Sequence, residues 1–147
     1  MPEKAHILLV EDNPMDVELT LDAFSQVHMA NMVYVVESGE QALDYLFGRE
    51  PYGARAQHPF PDLMLLDLKL PGISGFEVLE KIKETPKLKR LPVIILSSSQ
   101  EEGDRALGYD NGANSYLVKP ISFNEFVKVA TRITDYWISL NTGPPED

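Results

Sequence analysis

Three short runs of this sequence, His6–Val10, Leu63–Leu66 and Val93–Leu96, are almost unbroken apolar residues. A strand with one wet face alternates apolar and polar residues; a strand that reads apolar throughout is covered on both faces. Such strands belong to a parallel sheet held between layers of helices. Two further β-rich runs, Val33–Val36 and Ser115–Val118, bring the expected strands to five.

The intervening segments read as helices. Ser38…Gln41, Ser74…Glu77, Ser99…Glu102 and Ser122…Glu125 each match the S-x-x-E/Q capping box. A further helix begins near Asn13, with Pro14 suited to its first turn. Its inward stripe is expected at Val17, Leu21 and Phe24. Gly48 and Gly112 are expected C-terminal stops. The last helix carries Phe126, Val129, Ile133 and Trp137 on one stripe. The expected fold is therefore α/β, a doubly wound (βα)5 three-layer sandwich with a parallel five-stranded sheet in the order 2-1-3-4-5.

A chain of 147 residues suits one domain. It has no cysteine, which excludes disulfides, thiolate metal sites and a cysteine nucleophile. The net charge of −10 argues against direct nucleic-acid binding. The local basic group Lys81, Lys83, Lys87, Lys89 and Arg90 reads as a solvated face. The N-terminal MPEKAHILLVED has too short an apolar run for a signal peptide or a membrane span, so a cytoplasmic location without membrane contact is the expectation.

In a doubly wound sheet the ligand crevice lies outside the carboxyl ends of the strands, where the strand order reverses. Strand 1 ends in Glu11-Asp12, strand 3 in Asp67, strand 4 in Ser97 and strand 5 in Lys119-Pro120. Three carboxylates gathered in one crevice repel unless they take up protons or bind a cation. A hard divalent ion such as Mg2+ suits oxygen ligands of this kind, with Mn2+ or Ca2+ as substitutes. A carboxylate beside such an ion and a lysine can accept a phosphoryl group. The metal and Lys119 would neutralise the transferred oxygens, and Ser97 would donate a hydrogen bond to one of them.

The segments ILLVEDNP (7–14), PDLMLLDLKLPGISGFEVL (61–79), VIILSSS (93–99) and NGANSYLVKP (111–120) closely resemble the response-regulator receiver domain of two-component signalling. The resemblance spans residues 5–140, leaving 141–147 as a short tail with no effector domain expected. It implies the flavodoxin-like receiver fold and a phosphoacceptor role for Asp67. It implies direct metal ligation by Asp12, Asp67 and the backbone carbonyl of Lys69, with Glu11 acting mostly through a bound water. Ser97 and Lys119 would contact the phosphoryl group, Lys119–Pro120 would be cis, and Ser97 and Tyr116 would form the switch.

The implied function is a single-domain response regulator phosphorylated by a histidine kinase, with no turnover of its own beyond its own phosphorylation and dephosphorylation. The long connection Arg49–Pro61 and the extended last helix look like regulators paired with cyanobacterial phytochrome kinases. His58 in that connection is expected to be merely exposed. A second apolar stripe on the last helix, Val127, Thr131, Thr134 and Ile138 with Phe123 and Tyr136, points to a homodimer through helix 4, strand 5 and helix 5. Three other readings are weighed. A metal-dependent phosphohydrolase usually carries a D-x-D pair, which Asp67-Leu68-Lys69 lacks. A flavodoxin-like cofactor carrier would find its phosphate repelled by Glu11-Asp12. An unphosphorylated interaction module has no need of the intact acidic set.

Overall fold

A computed structural model describes residues 5–29, 32–140 and 143, with the side chains of 138–140 outside the description. Five parallel strands form one sheet in the order β2-β1-β3-β4-β5. They are β1 (Ile7–Val10), β2 (Val33–Val36), β3 (Leu63–Leu66), β4 (Val93–Ser97) and β5 (Ser115–Val118). The helices are α1 (Pro14–Gln26), α2 (Gly39–Phe47), α3 (Gly75–Glu84), α4 (Glu102–Asp110) and α5 (Phe123–Ile133), the last continuing as π-helix through Thr134–Leu140. Among the described residues no helix is long and apolar enough to cross a membrane.

The apolar strands explain the three layers. Successive side chains point to opposite faces. Leu8, Val10, Met64, Leu66, Val93 and Ile95 face a core shared with α2 and α3. Ile7, Leu9, Leu63, Leu65, Ile94 and Leu96 face the core built with α1 and α5. Burying one such side chain contributes about 1.5–3 kcal/mol, so β1, β3 and β4 anchor the sheet from both sides.

The helix starts mostly follow the sequence. Ser74 and Glu77 form a complete capping box, and Ser38 and Ser122 accept from the amides of Gln41 and Glu125. Gly48 takes the left-handed conformation at the end of α2 with φ 69°. Two expectations shift. Ser99 does not cap α4; its hydroxyl donates to Asp104 Oδ2 at 2.6 Å and accepts from the Glu101 amide, so the helix begins later, at Glu102. In α1 the buried residues are Thr20, Ala23 and Phe24, while Val17 and Leu21 stay half-exposed. The helix thus turns its Thr20, Ala23 and Phe24 side to the core instead.

The long connection after α2 is fastened rather than loose. Arg55 donates to the carbonyls of Tyr45 (2.8 Å), Leu46 (3.0 Å) and His58 (3.2 Å), satisfying the open end of α2. Tyr45 Oη donates to the Pro59 carbonyl at 2.9 Å, and the rings of Tyr45, Tyr52 and His58 meet edge to face or tilted. His58 is thus half-buried in an aromatic group, not merely exposed. Burial pushes the Tyr45 hydroxyl up to about 12. The cis peptide among the described residues is Glu50–Pro51, in this same connection.

Candidate functional site

The carboxyl ends of β1, β3, β4 and β5 meet at one edge of the sheet. The β1 pairing continues past the strand, where the Glu11 amide donates to the Val36 carbonyl at 3.0 Å. Asn13 then caps α1, accepting from the amides of Met15 (2.9 Å) and Asp16 (3.3 Å), and its own amide donates to Glu11 Oε2 at 3.2 Å. Asp67 is fixed by its amide, which donates to the Val10 carbonyl at 3.1 Å. The loop after it closes tightly. The Gly75 amide donates to the Leu68 carbonyl at 2.9 Å, and a Cβ on Gly75 would run into the Asp67 carbonyl. Glycine is required there for close approach.

Lys119 follows β5, its amide donating to the Ser97 carbonyl at 2.7 Å. Its ammonium lies 2.5 Å from Glu11 Oε1, 2.8 Å from Asp16 Oδ2 and 3.4 Å from Asp67 Oδ2. This is reached with Lys119–Pro120 trans, contrary to the cis peptide expected from the resemblance. With that trans peptide the Lys119 ammonium still reaches all three acids.

Glu11 and Asp67 are buried and Asp12 is exposed, yet one carboxylate oxygen from each lies within 4.8 Å of the others. The electrostatics follow. Burial pushes Glu11 up to about 7, the Lys119 ammonium opposes this, and the Asp67 charge adds to it. Burial alone would lower Lys119, but Asp16, Glu11 and Asp67 together hold it above its ordinary value. Two buried acids and one exposed acid, all oxygen donors, fit a hard divalent cation. The exposed Asp12 leaves a path for such an ion from solvent. Lys69, in the loop after Asp67, has an exposed side chain.

Ser97 is fully buried at the end of β4, paired in register with Val118. Its Oγ accepts from the Ser99 amide at 3.2 Å. Tyr116 is half-buried, and its hydroxyl donates to the Ser99 carbonyl at 3.0 Å. A cleft of about 180 Å³, lined by Gln100, Arg105, Tyr116 and Val118, opens beside it.

The sequence-expected residues Glu11, Asp12, Asp67 and Lys119 therefore converge, and Ser97 and Tyr116 are joined through Ser99. Asp16 was not anticipated. The available signal was its place three residues after the Asn13 cap, in the first turn of a helix rising beside the crevice. The expected association face divides. Phe123 and Tyr136 are exposed, Val127 packs partly on the core, Thr131 and Thr134 are half-buried, and the Ile138 side chain lies outside the description.

Residues 7–131 match the response regulator receiver domain. The chain belongs to the receiver family. The receiver is 38% identical over 138 residues to the probable methanogenesis regulatory protein FilR2 of Methanothrix harundinacea, covering 94% of this chain and 86% of that one. It is 34% identical to the response regulator Rcp1 of Synechocystis, covering 94% and 92%. The crystal structure of the phosphorylated cyanobacterial phytochrome response regulator RcpA superposes with a TM-score of 0.87 at 37% identity, covering 97% and 99%. The Mn2+-bound form of Rcp1 superposes at 0.82 with 33% identity, covering 96% and 99%. Receivers are signalling proteins phosphorylated by histidine kinases. Among the described residues of this receiver, Glu11, Asp12 and Asp67 form the acidic group that could hold a metal.

Proposed function

We propose that this receiver accepts a phosphoryl group on Asp67 from a phytochrome-type histidine kinase and signals through a conformational switch. The observation that carries the reading is the meeting of Glu11, Asp12 and Asp67 oxygens within 4.8 Å, with the Lys119 ammonium against Asp67. An Asp67 oxygen attacks the phosphorus of a phosphohistidine. The new O–P bond forms as the P–N bond breaks, and the electron pair leaves with the imidazole. A divalent ion, Mg2+ by this reading, would be held by Asp12, Asp67 and the Lys69 carbonyl, with Glu11 beside them, and would neutralise charge on the transferred oxygens. Lys119 binds one such oxygen, and Ser97 turns its hydroxyl to donate to another.

That turn has a consequence along the chain. Ser97 Oγ holds the Ser99 amide, and Ser99 in turn holds Tyr116 through its carbonyl and Asp104 through its hydroxyl. Moving Ser97 loosens this connection, and Tyr116 becomes more buried. Exposed Leu107, Tyr109, Val118, Ile121 and Phe123 surround the region, which supports self-association through α4, β5 and α5 in the phosphorylated state. The phytochrome-type partner is supported by the likeness to Rcp1 and RcpA over almost the whole of each chain.

The test is incubation with a small phosphodonor and Mg2+, followed by intact mass. Wild type gains the mass of one phosphoryl group, the gain vanishes with chelator, and Asp67→Asn shows none. An adduct that survives in Asp67→Asn sinks the assignment. Transfer from a phytochrome kinase no faster than from unrelated histidine kinases sinks the partner.

A further inference from the structure

Lys119 faces three carboxylates, and only two of them belong to the group that can hold a metal. The third, Asp16, is the odd one. Its backbone is held at both ends: the amide donates to Asn13 Oδ1 at 3.3 Å, and the carbonyl accepts from the buried hydroxyl of Thr20 at 2.7 Å. Its carboxylate therefore leaves a fixed point on α1 and meets Lys119 at 2.8 Å, closer than Asp67 does at 3.4 Å.

We infer that Asp16 is a positioning residue that keeps Lys119 charge-paired when a divalent cation occupies Glu11, Asp12 and Asp67. This rests on the metal reading above. An ion held among those acids would take up negative charge of Glu11 and Asp67 that otherwise serves the lysine. The Lys119 side chain is only 11% exposed, so an ammonium left without a partner there is costly. Among the described residues, Asp16 offers the one carboxylate in contact with Lys119 that lies outside the group able to hold the ion. Without it, Lys119 falls back on Glu11 and Asp67 and competes with the ion for them. Asp16 thus favours metal binding without being a ligand, and it leaves the ammonium beside Asp67, where transferred oxygens arrive.

A general negative charge near the site would also favour a cation, so the test must separate the two routes. Mn2+ binding is measured by calorimetry, without phosphodonor, for wild type, Asp16→Asn, Lys119→Met and the double variant. The expected result is about tenfold weaker binding for Asp16→Asn with Lys119 present, and a change below about twofold when Lys119 is already Met, the pattern of two residues that act as one unit. Asp16→Glu restores binding.

Equal weakening in both backgrounds overturns the inference in favour of a through-space effect. No weakening with Lys119 present overturns it outright. Wild type that fails to bind Mn2+ overturns the metal reading itself, a result distinct from the other two. A second measurement does not depend on the Lys119 variant folding. In Mg2+-loaded protein the Lys119 ammonium proton signal, slowed in exchange by its partner, is retained in wild type and lost in Asp16→Asn. A signal unchanged by that substitution overturns the inference.

Discussion

Helix α3 enters the fold through a complete capping box and buries Gly75, Val78, Leu79 and Ile82. Helix α4, on the same face of the sheet, starts at Glu102 after a Glu101 cap that makes no side-chain bond to its first amides, and its buried residue is Gly108. A Cβ at Gly108 would meet Ile95 Cδ1 at 2.7 Å, so α4 lies close to the sheet with almost no apolar area to hold it. A polar bond holds its first turn, Ser99 Oγ to Asp104, and Ser99 is held in turn by Tyr116. One sheet face thus carries both a deeply anchored helix and a lightly held one. The fixed helix follows Asp67 and braces it through Gly75. The lightly held helix follows Ser97, and in the switch proposed above a rearrangement of hydrogen bonds there would shift it. Elements of low local stability are the ones that conformational changes draw on.

The sharpest way to break this contrast is to cut into α3. Ile82→Ala removes a fully buried side chain and should cost about 2–5 kcal/mol in urea unfolding. A loss below about 1 kcal/mol would mean that α3 is no better anchored than a surface helix.

Asp104→Ala tests the other side. Removing the acceptor of the Ser99 hydroxyl should speed amide exchange across α4 about tenfold, a local loss of about 1.4 kcal/mol, while α3 amides are unchanged. Faster exchange in both helices would show that α4 does not open independently.

Capping gives a smaller difference. Ser74→Ala should cost about 1 kcal/mol, since it frees the Glu77 amide. Glu101→Ala, at the corresponding position of α4, should stay within about 0.5 kcal/mol. Similar losses at both caps would erase this part of the contrast.

The smallest effect is expected at Leu107, which is 45% exposed. Leu107→Ala should leave stability within about 0.5 kcal/mol. A larger loss in the phosphorylated protein alone would place Leu107 in an interface formed in that state.

Much of α3 and little of α4 could be read in advance, and the reason is the same physics. Ser74-Gly75-Phe76-Glu77 and the Val78, Leu79, Ile82 stripe are local signals that agree with each other. Ser99-Gln100-Glu101-Glu102 carries the same S-x-x-E pattern with no buried apolar stripe behind it. There the serine hydroxyl had a better partner in Asp104, and the helix started elsewhere. In the crevice, the strand-end rule located Glu11, Asp12, Asp67, Ser97 and Lys119, because each ends a strand whose register is set by apolar burial. It passed over Asp16, which belongs to a helix. Only the angle at which α1 leaves β1 brings that carboxylate to a lysine 103 residues away.

The sequence by itself determined the five parallel strands, their order and the acids at their ends, since unbroken apolar runs, right-handed crossovers and local caps leave few other arrangements. The tertiary structure alone decided which acid Lys119 meets most closely outside the metal-capable group, how Ser99 links Ser97 to Tyr116 and Asp104, and how the connection after α2 is fastened by Arg55. Those contacts join residues far apart in the chain or depend on side-chain directions. Periodicity and spacing carry neither, and each was settled by which buried polar group found the nearest partner.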